Sequence, residues 1–198
     1  MTALHRPAPP LAAHPGALAV VAVGMAALLA RPLAADMVSD PTAALIVLFV
    51  ALGLAGALWP LPRGLETATV SANAFRVAPA AALALGVAAF AVGRLLGAGP
   101  LLDAAPPIAP LLLNGLAAVA EEAFFRRLLY GLLSPWGRDV AVIGSAVAFA
   151  AVHVTVWGPA VLPLDLAAGL ILSWQRAATG RWTVPAATHV AANVLGAV

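Results

Sequence analysis

Long apolar runs alternate along the whole chain with short breaks that contain proline, glycine or charged residues. Most of the runs approach the length of about 20 residues that spans a hydrocarbon core of roughly 30 Å. They predict transmembrane helices at residues 17–35, 42–59, 78–98, 107–129, 139–157, 160–175 and 183–198. The pattern therefore predicts an all-α, polytopic transmembrane bundle of about seven helices.

The same pattern divides the chain into three parts. Residues 1–16 form a polar N-terminal tail, residues 17–105 hold three transmembrane helices, and residues 106–198 hold a core of four. The first run follows Arg6 and ends near Pro32, so a cleaved signal peptide is an alternative interpretation of residues 17–35.

The composition excludes several classes of protein. With 63% hydrophobic and 9% charged residues, the chain does not suit a water-soluble domain. Its ten basic residues form no cluster, which favours the lipid bilayer over nucleic acid as the partner. Cysteine is absent, which excludes disulfides, thiolate metal sites and cysteine nucleophiles.

Basic residues are unequally divided between the two sides of the predicted bundle. With a cytoplasmic N-terminus, the cytoplasmic segments hold Arg6, Arg63, Arg76, Arg126, Arg127, Arg138, Arg176 and Arg181. The other side holds Arg31 and Arg94. By the positive-inside rule this bias predicts an N-in, C-out protein, and the Ala-rich composition suggests a prokaryotic plasma membrane.

Ionisable side chains inside the predicted spans are few and are the first candidates for function. The informative ones are Glu121, Glu122, His153, Asp165 and His189. Each costs roughly 2.5 kcal/mol or more at the bilayer centre unless it is paired or hydrated. Asp165 lies near the outer end of the sixth helix, and we interpret it as a solvated residue or a helix cap.

Helical spacing indicates which of these groups share a face. Glu122 and Arg126 are four residues apart, whereas Glu121 points about 100° away from Glu122 toward another partner. With the fourth helix ending at residue 129, Glu121 lies about 10 to 12 Å from its cytoplasmic end. Asn114, seven residues before Glu121, lies on nearly the same face.

Two more pairs have the i, i+4 spacing. Phe149 shares a face with His153 on the fifth helix, and His189 shares one with Asn193 on the seventh. Polar groups from three helices at similar depth are typical of a shared polar cavity.

These groups suit the hydrolysis of a carbonyl compound. Glu121 beside an imidazole can hold and deprotonate a water, while a second imidazole and an amide can donate to the oxyanion. Glu121, His153 and His189 are also a possible ligand set for a divalent metal such as zinc. We slightly favour no metal, because Asn193 is a poor zinc ligand and a good oxyanion donor.

The three motifs are Glu121-Glu122-Ala-Phe-Phe-Arg126, Phe149-Ala-Ala-Val-His153 and His189-Val-Ala-Ala-Asn193. Over about residues 107–196 they resemble the CPBP family of intramembrane proteases, with its EExxxR, FxxxH and HxxxN motifs. The resemblance does not extend to the first three helices.

The resemblance implies a catalytic core in residues 106–198 and a membrane-anchored protein or peptide as the substrate. Glu121 and His153 would activate water, and His189 with Asn193 would stabilise the oxyanion. Glu122, counted with these catalytic residues, would support the site together with Arg126 and Phe149.

Two other functions fit the same polar residues. The first is a membrane protein for peptide binding or immunity that keeps the fold without turnover. The second is a small proton-coupled transporter with Glu121 and His153 as a relay, which the absence of an inverted repeat disfavours.

Overall fold

The computed structural model describes residues 14–61, 77–97 and 107–196, and these parts of the chain are helical with short connections. Arg6, Arg63, Arg76 and most of the predicted N-terminal tail lie outside the described residues. Seven long helices are present in the described part of the chain. They are α1 (Pro15–Met37), α2 (Pro41–Leu58), α3 (Pro79–Leu96), α4 (Ile108–Trp136), α5 (Arg138–Trp157), α6 (Leu162–Thr179) and α7 (Thr183–Gly196).

This architecture confirms the predicted all-α bundle, and most helix ends fall within two residues of the prediction. Five helices, α1 to α5, are long and apolar enough to cross a membrane. The other two, α6 and α7, form part of the bundle without meeting that criterion. The 14 residues of α7 extend only about 21 Å.

The predicted end of α4 at residue 129 is wrong. The helix continues through a π-helical segment, Ala123–Leu129, and ends in a 3-10 turn at Trp136. The sequence placed Arg126 and Arg127 in the last turn of the helix and counted them as cytoplasmic charges, but both guanidinium groups have partners inside the protein. Arg126 is buried, and Arg127 Nη1 donates to the carbonyl oxygens of Gly56 (2.8 Å) and Trp59 (3.0 Å) at the end of α2.

The longer helix also corrects the predicted depth of Glu121. Measured along α4, Glu121 is about 22 Å from Trp136. His153 is about 22 Å from Arg138, the first residue of the next helix. Because α4 and α5 are joined by the single residue Gly137, the two side chains reach the same level of the bundle.

The charge bias that predicted the orientation includes fewer loop arginines than the sequence suggested. Arg126 and Arg176 lie within helices and are buried, and Arg176 Nε donates to the Arg126 carbonyl oxygen (3.0 Å). They hold helices together instead of marking loops. The protein has the composition and helices of an integral membrane protein, and its N-in orientation stays a prediction.

The π segment lies at the centre of the apolar core. Phe124, Phe125 and Leu128 are fully buried there. Phe125 packs edge-to-face on Phe149 of α5, with ring centroids 5.6 Å apart. On the other side α2 approaches so closely that a Cβ at Gly56 would lie 2.5 Å from the Ala123 backbone. The segment that follows the two glutamates is thus clamped between α2 and α5.

Polar links inside the bundle position the last two helices. Gln175 Nε2 of α6 donates to the Ala82 carbonyl oxygen of α3 (2.7 Å) and to Thr188 Oγ1 of α7 (2.8 Å). Ser145 and Ser173 join α5 to α6 through a hydroxyl contact of 3.0 Å. Thr188 precedes His189 directly, so this network sets the depth of α7 and of its imidazole.

Candidate active site

A buried ion pair forms the base of the site. Arg126 Nη1 donates to Glu122 Oε1 at 2.8 Å, and both side chains are 0% exposed. This is the i, i+4 pairing that the sequence predicted. Arg126 Nη2 also donates to the Gly169 carbonyl oxygen of α6 (3.3 Å). The pair therefore ties α4 to α6 as well as balancing its own charge.

Glu122 connects this base to the last helix. His189 Nδ1 lies 3.0 Å from Glu122 Oε1, and because a carboxylate accepts, the imidazole donates. Glu122 lines neither of the two cavities described below and contacts the site through His189. The sequence counted it among the catalytic residues, with a supporting role implied by the resemblance, and that role stays a prediction.

The Phe149 ring contacts both imidazoles. Its ring centroid is 4.5 Å from that of His153 and 5.7 Å from that of His189. The Arg126 guanidinium lies 4.4 Å from the same ring, within the range of a cation–π contact. One aromatic side chain thus contacts the Arg126 guanidinium and both imidazoles.

Glu121 and His153 face each other across a gap. Glu121 Oε2 is 3.9 Å from His153 Nε2, which is beyond hydrogen-bond length. His153 Nδ1 donates to the Phe149 carbonyl oxygen (2.8 Å), so in the neutral ring Nε2 is the acceptor. A carboxylate oxygen and an acceptor nitrogen are therefore turned toward the same space.

The Asn193 side chain of α7 is hydrogen-bonded to the backbone of α4. Its Nδ2 donates to the Asn114 carbonyl oxygen at 3.1 Å, which uses one of its two N–H groups. The sequence had suggested that Asn114 orients a water or another helix. In the structure its backbone fixes the amide of α7.

Two cavities meet at these residues. The first, of about 440 Å³, is lined by Asn114, Glu121, His153, His189 and Asn193 together with Arg31. The second, of about 600 Å³, lies between α3, α5, α6 and α7 and has a mainly apolar wall. His153, His189 and Asn193 line both. The predicted convergence of four polar groups from three helices is found.

The prediction that Asp165 caps α6 is wrong. It lies in the first turn but makes no capping hydrogen bond, and the N-cap position is Val161. Its side chain lines the second cavity, and its Oδ2 is buried without a hydrogen-bond partner among the described residues. The second cavity therefore has an acidic group in its wall together with His153 and His189.

Arg31 is the residue of the site that sequence reasoning missed. The sequence placed it inside the predicted helix 17–35 and counted it only as a charge on the outer side. In the structure α1 extends to Met37, with Pro32 inside the helix. Its Nη1 lies 3.8 Å from Glu121 Oε1. The available signal was a lone arginine inside an apolar run, where an unpaired charge is costly.

The possible metal ligands were tested against the geometry. Within residues 14–61, 77–97 and 107–196, no three histidine or acidic side chains are grouped so as to hold a metal ion. His189 Nδ1 is bonded to Glu122 and His153 Nδ1 to a backbone carbonyl, so Nε2 is the open nitrogen of each ring. Glu121, His153 and His189 are not gathered into a ligand group in this arrangement, and the choice between a metal and no metal stays a prediction.

Residues 103–195 match the family model described as type II CAAX prenyl endopeptidase Rce1-like. This match covers all three motifs and confirms the resemblance to the CPBP family of proteases. Searches of curated proteins and of solved structures gave no significant match. The matched segment contains α4 to α7, whereas α1 to α3 precede it.

Proposed function

We propose that the protein is an intramembrane endopeptidase, because residues 103–195 match the Rce1-like endopeptidase family model. Its substrate is a membrane-associated or C-terminally anchored protein or peptide, of which it hydrolyses one peptide bond. The observation that carries the proposal is the gap between Glu121 Oε2 and His153 Nε2, which opens on a cavity that also holds His189 and Asn193.

Water activation is assigned to Glu121 and His153. A water in this gap donates one hydrogen bond to each acceptor and turns a lone pair toward the cavity. Glu121 takes a proton as the water oxygen attacks the carbonyl carbon of the substrate, so a general base replaces free hydroxide.

Oxyanion stabilisation is assigned to His189 and Asn193. Asn193 has one N–H left after its bond to Asn114. When both ring nitrogens are protonated, His189 keeps its Nδ1–H on Glu122 and presents Nε2–H to the oxyanion. Donors fixed in advance in a water-poor site stabilise the transition state strongly.

The reaction is completed by returning the proton. Glu121 transfers the proton to the departing amide nitrogen, and the C–N bond breaks to give a carboxylic acid and an amine. The acid then passes its proton to the amine, so the final products are a carboxylate and an ammonium group. The mainly apolar second cavity suits apolar groups of the substrate beside the reacting carbonyl.

The proposed reaction uses no metal ion. It is supported by the side-chain arrangement, in which the candidate ligands do not form a common site. Purified protein should keep full activity in a strong chelator, with no stoichiometric metal found by elemental analysis. Loss of cleavage in chelator that zinc restores would contradict this part of the proposal.

The endopeptidase proposal is tested with purified protein and a library of membrane-anchored peptides, analysed by mass spectrometry. We expect a defined cleavage by the wild type and loss of that cleavage in His153→Ala. Asp139→Asn, an exposed acid on the same helix, is the matched control and should cleave normally. A binding or immunity protein would instead retain peptide binding in both variants and cleave nothing.

A further inference from the structure

Arg31 brings a positive charge to the site from outside the family segment. Only 14% of its side chain is exposed, and it lines the first cavity together with Glu121, His153 and His189. Its guanidinium carbon lies 5.8 Å from the ring centroid of Phe49 on α2, which is within the range of a cation–π contact. Arg31 of α1 therefore completes the wall of a cavity that is otherwise built by α4, α5 and α7.

The two oxygens of Glu121 face different partners. Oε1 is 3.8 Å from Arg31 Nη1, while Oε2 is 3.9 Å from His153 Nε2. A carboxylate that is free to rotate exchanges its oxygens and samples several χ angles. With a guanidinium on one side, a single orientation is favoured, and in it Oε2 points at the histidine.

The fold holds Arg31 in this place through α1. Gly24 of α1 packs so closely on the π segment of α4 that a Cβ there would lie 2.4 Å from the Phe124 ring. The same helix also contacts α5. The position of Arg31 relative to Glu121 is thus determined by packing at the core, two helical turns away along α1.

We propose that Arg31 is a positioning residue of the active site, supplied by α1, which holds Glu121 Oε1 so that Oε2 faces His153. The inference rests on the proposed peptidase function. It also requires α1 in the working enzyme, in contrast to the alternative of a cleaved signal peptide.

A kinetic experiment tests the role of Arg31. Arg31→Ala should lower kcat by roughly 10²-fold with little change in KM, because misplacing a catalytic group impairs the chemical step more than binding. Added guanidinium salt should restore part of the rate, and Arg31→Lys should keep more activity than Arg31→Ala. Arg138→Ala, which removes an exposed arginine, should match the wild type with and without the salt.

Two kinetic results would overturn the proposal. One is a kcat for Arg31→Ala equal to that of the wild type. The other is a low kcat that neither guanidinium nor Arg31→Lys improves, since a general packing defect would behave in that way.

A second experiment tests the position of Arg31 without using activity. The chain has no cysteine, so Arg31→Cys with Ala117→Cys introduces the only two thiols. Both positions line the first cavity, and a short bis-maleimide should join them within one chain. The control is Arg31→Cys with Ala168→Cys, because Ala168 lines only the second cavity. Cross-linking of the control pair alone would contradict the placement of Arg31.

The two experiments separate the inference from the function on which it rests. A wild type that cleaves no peptide would refute the proposed peptidase, while the cross-link would still show whether α1 brings Arg31 to Glu121. An active wild type with an unaffected Arg31→Ala variant would refute the inference alone.

Discussion

The two halves of the bundle are stabilised by different interactions. Among the described residues, the buried polar and charged side chains all lie in α4 to α7. They are Glu121, Glu122, Arg126, Ser145, Ser173, Gln175, Arg176 and Thr188. In α1 to α3 the buried residues are apolar or glycine, and large apolar side chains such as Val47, Leu54 and Leu85 are exposed.

The first half thus packs through apolar surfaces, whereas the second half holds the polar groups of the site. The first three helices suit lipid on one side and close packing through small residues on the other. The last four are fixed by directional hydrogen bonds, which hold catalytic groups in one geometry more strictly than apolar packing does. Arg31 is the exception, because it belongs to the first half but forms an ion pair with Glu121 in the site of the second half.

The largest expected effect is on the polar half. Arg126→Leu leaves Glu122 buried without its counter-charge and should destabilise the protein by about 3–5 kcal/mol. Denaturant unfolding in detergent measures the loss. Arg138→Gln removes an exposed arginine and should leave the midpoint unchanged. Equal stability of Arg126→Leu and wild type would show that the buried pair does not hold this half together.

A somewhat smaller effect is expected on turnover. Asn193→Ala removes the proposed oxyanion donor and should reduce kcat by about 10²- to 10³-fold, with KM nearly constant. The neighbouring exposed residue provides the control, Val194→Ala, which should turn over normally. A rise in KM with an unchanged kcat would assign Asn193 to substrate binding instead.

Close packing between the halves should respond to a single methyl group. In Gly56→Ala the new Cβ would meet the Ala123 and Phe124 backbone at 2.5 Å, an overpacking that costs about 1–3 kcal/mol. In Gly115→Ala no atom lies within 4 Å of the new Cβ, so stability should hold or rise. Thermal unfolding of the two variants compares them, and equal midpoints would mean that α2 does not clamp the π segment.

The smallest effect belongs to the outer surface of the apolar half. Leu54→Ala changes a side chain that is 54% exposed and should alter stability by no more than about 0.5 kcal/mol. Leu128→Ala, in the core of α4, is the contrasting variant and should cost about 2–5 kcal/mol. A large loss in Leu54→Ala would indicate that this surface of α2 packs against protein, for example another copy of the chain.

Local features of the sequence predicted much of this molecule. The apolar runs and the breaks between them predicted where the helices lie, because a run or a break is a property of neighbouring residues in the sequence. The i, i+4 pairs Glu122–Arg126 and His189–Asn193 indicated which groups share a face. The shared cavity was also predicted, although the depth assigned to Glu121 on the way to it was wrong.

Features that depend on tertiary packing were not predictable. The continuation of α4 past residue 129 was missed because the arginines near that point find carbonyl acceptors in α2 and α6, which no local pattern reveals. The place of Arg31 depends on how α1 packs against α4. Asp165 was interpreted as a solvated residue or a helix cap because its position near the helix end can be read from the sequence, whereas the cavity beside it cannot.

The two adjacent glutamates provide the most direct test of the central claim, that Glu121 is the base and Glu122 a support. The measurement is the rate of cleavage of a membrane-anchored peptide by Glu121→Gln and Glu122→Gln, each with its thermal midpoint. We predict that Glu121→Gln loses cleavage at a wild-type midpoint, whereas Glu122→Gln lowers the midpoint, because Arg126 loses its counter-charge. Cleavage by Glu121→Gln at the wild-type rate would contradict the account.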